Sequence, residues 1–221
     1  MGRRYDLVAF DMDGVLLDHV SSWTWIHDAF GVSNEDSFKE FICGKIDEKE
    51  FMRRDIALWK NIDPDISIRK AARYLKDVPL MGGIQETVAA LKWNDIKCVI
   101  ISGGIDIAAE MIANEFGFDA FAANTLESDV NGRLTGEGII NVDLRDKGKK
   151  LVEFIEEFGT TRERTVSVGN SYTDIKMFER SGLSIAFNPI DGMTEKGADR
   201  VVRSKNLSDI LDIIFEIENR E

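Results

Sequence analysis

The chain has 221 residues, enough for one large domain or for a core domain carrying a small insertion. Its apolar content of 43% is that of an ordinary globular protein, and 40 acidic against 28 basic residues give a net charge of −12. With no long basic run, the balance excludes a nucleic-acid binder that works through a basic patch, yet a single lysine or helix N-terminus in a cleft can still attract a small anion.

Arg3-Arg4 precedes only a four-residue apolar run, too short for a signal-peptide core, and no stretch reaches membrane-spanning length. Two cysteines, Cys43 and Cys98, give no disulfide framework, so a reduced, cytoplasmic compartment is expected. Leu7-Val8-Ala9-Phe10 reads as the first buried strand. Residues 17–80 contain no convincing strand; Trp23, Trp25, Ile26, Phe30, Phe38, Phe41, Phe51, Ile56 and Trp59 recur at helical spacing. The spacing predicts a helical cap inserted over 17–80, broken at Asn61-Ile62-Asp63-Pro64 and ended at Val78-Pro79. From residue 82 onward strands and helices alternate. Lys97–Ile101, Thr165–Val168 and Leu183–Phe187 are apolar strands; Ile107 to Phe116, Leu151 to Phe158 and Leu207 to Ile214 carry helical faces. Asn131-Gly132 predicts a two-residue hairpin turn. The fold class expected is α/β: a Rossmann-like parallel sheet flanked by helices, formed by residues 1–16 and 81–221, with the helical cap after the first strand and a β-hairpin insertion.

Four segments at strand or helix ends carry chemistry. Asp11-Met12-Asp13-Gly14-Val15 sets two carboxylates one residue apart where a strand meets a turn. Such acids repel unless a cation or a shared proton separates them, and the pair suits holding Mg²⁺ and attacking a phosphoryl group. Asp-x-Asp-Gly also suits a plain turn. A calcium loop is excluded, because its fifth and twelfth positions would be Val15 and Ser22. Ser102-Gly103-Gly104 offers a hydroxyl and close backbone N–H groups to an anion, or is a simple strand-to-helix turn. Lys147, beside Gly148 at a helix start, opposes the helix dipole unless an anion lies there; Lys149 and Lys150 read as surface residues. Gly169 to Asp174 adds oxygen ligands from Asn170, Ser171, Thr173 and Asp174, or a capped helix start. His19 and His27 lack ligand-like spacing and read as structural or solvent-facing.

In order and spacing these four segments resemble the motifs of the haloacid dehalogenase superfamily of phosphohydrolases, the first reading Asp11-Met12-Asp13-Gly14-Val15-Leu16. Ile101 to Ile107, Ala123 to Leu126, Asn131 to Gly136 and Gly182 to Asn188 look most like its phosphoserine phosphatase branch. The resemblance implies Asp11 as nucleophile, Asp13 as acid and base, Ser102 and Gly103 as phosphate binders, and Lys147 as the cation that aligns Asp11 with the phosphate. It implies Mg²⁺ on Asp11, the Asp13 carbonyl and Asn170, with Asp174 behind. The implied activity is Mg²⁺-dependent hydrolysis of a small phosphorylated metabolite through an aspartyl-phosphate, without nucleic-acid or membrane partners; the sequence does not fix the oligomeric state. A phosphoryl transferase or mutase on the same scaffold, or a receiver-like signalling or phosphate-binding protein, uses a similar residue set.

The chain departs from the family pattern at three places. Asn170 stands where an aspartate is usual, which predicts weaker Mg²⁺ binding. A glutamate that helps hold the phosphoserine amino group is replaced by Val20, and the carboxylate-gripping arginine falls near Arg53, Arg54 or Asp55, with the closest alignment at Asp55. Val20, Trp23, Arg53 and Arg54 are therefore the substrate-selecting candidates. Trp23 and Trp25 point to a more apolar or ring-bearing leaving group.

Overall fold

The computed structural model describes residues 5–215. In chain order the elements are β1 (Leu7–Phe10), α1 (Ser22–Phe30), α2 (Glu35–Ile42), α3 (Glu48–Ile62), α4 (Ile68–Leu75), α5 (Ile84–Trp93), β2 (Lys97–Ile105) and α6 (Asp106–Phe116). There follow β3 (Ala120–Ser128), β4 (Leu134–Ile139), α7 (Gly148–Glu157), β5 (Thr165–Gly169), α8 (Ile175–Phe178), β6 (Leu183–Phe187), α9 (Gly192–Gly197), β7 (Arg200–Val202) and α10 (Leu211–Ile214).

The seven strands form one sheet in the order β4-β3-β2-β1-β5-β6-β7, parallel except for β4. Strand β1 is buried along its whole length because alternate side chains enter two different cores. Val8 and Phe10 pack into the larger one with Cys98 and Ile100 of β2; Leu7 and Ala9 pack into the smaller one with Val99 and Ile101. A continuous apolar run is what a strand covered on both faces requires. Chain order places β2 on one side of β1 and β5 on the other, so the carboxyl ends of three adjacent strands open into one crevice.

Helices α1–α4 lie between β1 and α5 in the chain. The two ends of this segment are tied side by side: Asp18 N donates to Pro79 O, and Met81 N donates to Leu16 O, each at 2.8 Å. There are four helices, not the single break expected. Gly31, at φ 63°, ends α1; Asp47 opens α3 by accepting from Glu50 N at 2.8 Å; Ser67 opens α4. Their core holds Trp59, fully buried and stacked on Trp23 with ring centroids 5.6 Å apart.

The hairpin also differs from the expectation. Its loop runs over residues 129–133, with the Asp129 carboxylate accepting from Asn131 N and Arg133 N at 2.8 and 2.9 Å. That side chain does the work the two-residue turn would have done through backbone twist. β3 is also a parallel partner of β2, so the hairpin joins the main sheet and β4 forms its edge.

Candidate active site

Asp11 follows β1 directly, and its N–H still pairs with Val168 O of β5 at 2.8 Å. Its side chain is buried. Oδ1 accepts from Met12 N at 2.7 Å, and Oδ2 lies 3.0 Å from Lys147 Nζ. Lys147 precedes α7, is itself buried, and donates to Asp174 Oδ1 at 2.7 Å. Asp174 is fixed in turn, since its Oδ2 accepts from Asn170 N and Ser171 N at 2.8 and 3.0 Å. Lys149 and Lys150 pair with Asp143 and Glu153 at the surface.

Asp13 is held by α1, where Ser22 N donates to Oδ1 at 2.8 Å and Ser22 Oγ to Oδ2 at 3.3 Å. The same hydroxyl accepts from Ile105 N at 3.0 Å, so Ser22 binds the first and second motifs together. Ser102 lies within β2, not after it; it is buried, and its Oγ accepts from Gly104 N at 3.1 Å. Trp23 Nε1 donates to Gly103 O at 3.1 Å. A Cβ on Gly104 would stand 2.6 Å from Ser22 Oγ and 2.7 Å from Asp13 Oδ2, so this glycine is the clearance that lets the two motifs meet. Gly14, at φ 76°, does the same for Asn170: a Cβ there would stand 1.9 Å from the Asn170 amide nitrogen.

These residues share a cavity of about 360 Å³ lined by Asp11, Asp13, Gly103, Lys147 and Asn170 on the core side, with Val20 and Trp23 among its other walls. Ser102 and Asp174 lie just behind that lining. Burial and repulsion from Asp174 push the Asp11 carboxyl up to about 6 against the pull of Lys147. Burial and the neighbouring Asp11 push Asp13 up to about 7. Burial works against the Lys147 charge, but Asp11 and Asp174 outweigh it and hold the ammonium above the ordinary lysine range.

Two of the four substrate-selecting candidates lie elsewhere. Arg53 and Arg54 sit on an outward part of α3, paired with Glu50 and with Glu50 and Glu40 at 2.7 Å, and neither lines the cavity. Trp25 also turns away, donating to Tyr74 O at 2.8 Å. The position that does face the cavity is Asp55, buried and bonded to Asn34 Nδ2 at 3.0 and 3.1 Å. Glu48, which sequence reading passed over, lines it too. Its Oε1 accepts from Asn124 Nδ2 and its Oε2 from Leu144 N, each at 3.1 Å, joining the start of α3 to the core. Burial raises the Glu48 carboxyl to about 7.

The profile of the haloacid dehalogenase-like hydrolase family matches residues 8–179. The chain belongs to this family. A phosphoserine phosphatase of Methanocaldococcus jannaschii is 32% identical over 219 residues, covering 97% of this chain and all of that protein. Two solved structures are similar throughout. A phospho-aspartyl intermediate analogue of phosphoserine phosphatase aligns with a TM-score of 0.81 at 30% identity, and a substrate-bound phosphoserine phosphatase complex with 0.81 at 29%. Each alignment covers 96% of this chain and 99% of the other. Among the described residues no helix is long and apolar enough to cross a membrane.

Two outcomes test this geometry. Gly104→Ala should lower hydrolytic turnover by about 10–100-fold, because it displaces Ser22 and Asp13, while circular dichroism shows the fold retained; unchanged turnover would mean the clearance is not needed. For Glu48, a folded pKa raised from 4.5 to about 7 means the folded state holds the proton more tightly. That stability is fully present below pH 4.5 and is lost as pH rises through 7. Wild type should therefore lose stability relative to Glu48→Gln between these pH values, by up to about 3 kcal/mol in denaturant titrations; parallel profiles would contradict the burial argument.

Proposed function

We propose that this hydrolase cleaves small phosphomonoesters by double displacement through an aspartyl-phosphate. The observation that carries the reading is the pairing of Lys147 with Asp11 beside a second, independently held carboxylate, Asp13. Two side-chain acids at one cavity, one clamped by a cation and one by neutral donors, suit two different tasks.

Asp11 attacks phosphorus, and the bond from phosphorus to the ester oxygen breaks. Lys147 screens the approach of the carboxylate to a dianionic phosphate and keeps Asp11 in line. Asp13 gives its proton to the departing alkoxide. In the second half it takes a proton from the water that attacks the acyl phosphate, which frees inorganic phosphate and restores Asp11. A carboxyl near 7 suits both transfers at neutral pH. Ser102 Oγ and the Gly103 N–H receive a phosphoryl oxygen. The segment over 17–80, closed on itself where Leu17 meets Leu80, acts as a cap that selects the leaving group and keeps out water.

The donor set fits a divalent cation. Asp11 and Asp174 flank the single ammonium of Lys147 and Asp13 adds a third carboxylate nearby, so negative charge exceeds positive there. Asp11, the Asp13 carbonyl and the Asn170 amide oxygen are hard ligands of the kind Mg²⁺ takes. When bound, the ion supplies further charge neutralisation to the phosphoryl oxygens. Asn170 offers a neutral donor at the third place, and among the described residues no cluster of three or more acidic, histidine or cysteine side chains stands in metal-holding geometry.

Asp11→Asn should abolish Mg²⁺-dependent phosphate release from p-nitrophenyl phosphate with the thermal transition preserved; near-wild-type rates would remove Asp11 from the nucleophile's role. Asn170→Asp should lower the Mg²⁺ concentration for half-maximal rate by about tenfold, the effect of one added charge on a hard cation. No shift in a metal titration would mean that residue 170 is not a ligand.

A further inference from the structure

Above the catalytic carboxylates the cavity is walled by Trp23, Phe38, Phe41, Phe51 and Met52. The ionisable groups that the cap contributes to it are both acidic: Asp55 and Glu48, 2% and 9% exposed. The basic residue lining it is Lys147, already bonded to Asp11 and Asp174. Arg145 lies over the Phe41 ring at 5.2 Å, gives a nitrogen to Phe41 O at 3.1 Å, and is not part of the lining.

The groups behind Asp55 do not cancel its charge. Asn34 is neutral. His27 Nε2 stands 3.4 Å from Asp55 Oδ2, but the ring's protonation is set on its other side. Trp59 Nε1 can only donate, and it donates to His27 Nδ1 at 2.7 Å. Nδ1 therefore presents its lone pair, the single ring proton is on Nε2, and the imidazole is uncharged. Nε2 is buried without a hydrogen-bond partner, so the shell is under-satisfied as well as neutral. A buried carboxylate backed only by neutral groups is costly unless a cation comes to it.

We infer that the alcohol released at this site carries a cationic nitrogen on an apolar body and no carboxylate. The nitrogen sits against Asp55, and the hydrocarbon packs on Trp23, Phe38, Phe41 and Phe51. A carboxylate on the leaving group would meet Asp55 and Glu48 with no free cation in the lining. The assignment rests on the proposed hydrolysis for which end of the substrate faces the cap.

Three esters separate the terms: phosphocholine; 3,3-dimethylbutyl phosphate, which has the same shape without the charge; and phosphoserine, which adds a carboxylate. Wild-type kcat/KM should be at least about tenfold higher for phosphocholine than for the neutral isostere, with phosphoserine lowest. In Asp55→Asn the ratio of phosphocholine to isostere should fall to near one. A neutral isostere as good as phosphocholine, a ratio untouched by Asp55→Asn, or a preference for phosphoserine that Arg145→Ala removes would each overturn the inference. The same esters titrated calorimetrically into Asp11→Asn read the preference without turnover. The predicted binding order with no wild-type phosphate release would sink the hydrolysis and leave standing the recognition of a cationic, carboxylate-free group at Asp55. Turnover with the order reversed would sink the inference alone, and no detectable phosphocholine binding would sink it as well.

Discussion

One ammonium group organises the centre of this protein. Lys147 Nζ touches Asp11 on β1 and Asp174 after β5, and all three are buried. Ion pairs at this depth are weak devices for stability, because desolvation consumes most of the attraction. Their value here is positional. Removing Lys147 would strand two buried carboxylates, so the three segments that carry them must keep their relative places. Asn170 and Ser171 extend the arrangement by fixing Asp174 through their N–H groups, and Ser22 supplies a parallel tie between Asp13 and Ile105. The result is a rigid floor with a reaction centre whose two acids have different partners.

The helical segment over 17–80 has another physical character. Its helices bury a few large aromatics and line the cavity with aromatic side chains together with Asp55 and Glu48. Glu48 ties this segment to the sheet through Leu144 N and an Asn124 amide whose Oδ1 also receives Asn141 N and Val142 N. The family match covers residues 8–179, and the similarity to phosphoserine phosphatases extends along nearly the whole chain. The character of this cavity wall is where the protein's own chemistry is to be sought.

How much of this was legible in the sequence follows from the range of each interaction. Leu7 to Phe10 is apolar at every position, and a strand buried on both faces has no other way to be written, so the core strands and the α/β class could be read directly. Asp11, Asp13, Ser102, Lys147 and Asn170 each follow or lie near such a strand or a helix start, and the sheet order brings them together. Contacts between distant segments left no local trace. Glu48 bonds to residues 76 and 96 positions away, and it stands in a charged stretch that looks like any solvated helix start. Arg53, Arg54 and Asp55 are consecutive, so helical rotation alone decides which faces inward, and it selects the acid. The hairpin and its Asn-Gly pair are where the sequence places them, but the loop is longer than two residues because the Asp129 side chain helps to shape it.

The proposal at the centre of this account is that phosphorus changes partners twice, first to the Asp11 carboxylate and then to water. Each in-line displacement inverts the configuration at phosphorus. The most direct measurement is the stereochemical course of hydrolysis of a phosphomonoester made chiral with oxygen isotopes, read from the product by phosphorus NMR after trapping. The account predicts overall retention, the sum of two inversions. Overall inversion would show that water attacks the ester in one step and would contradict it.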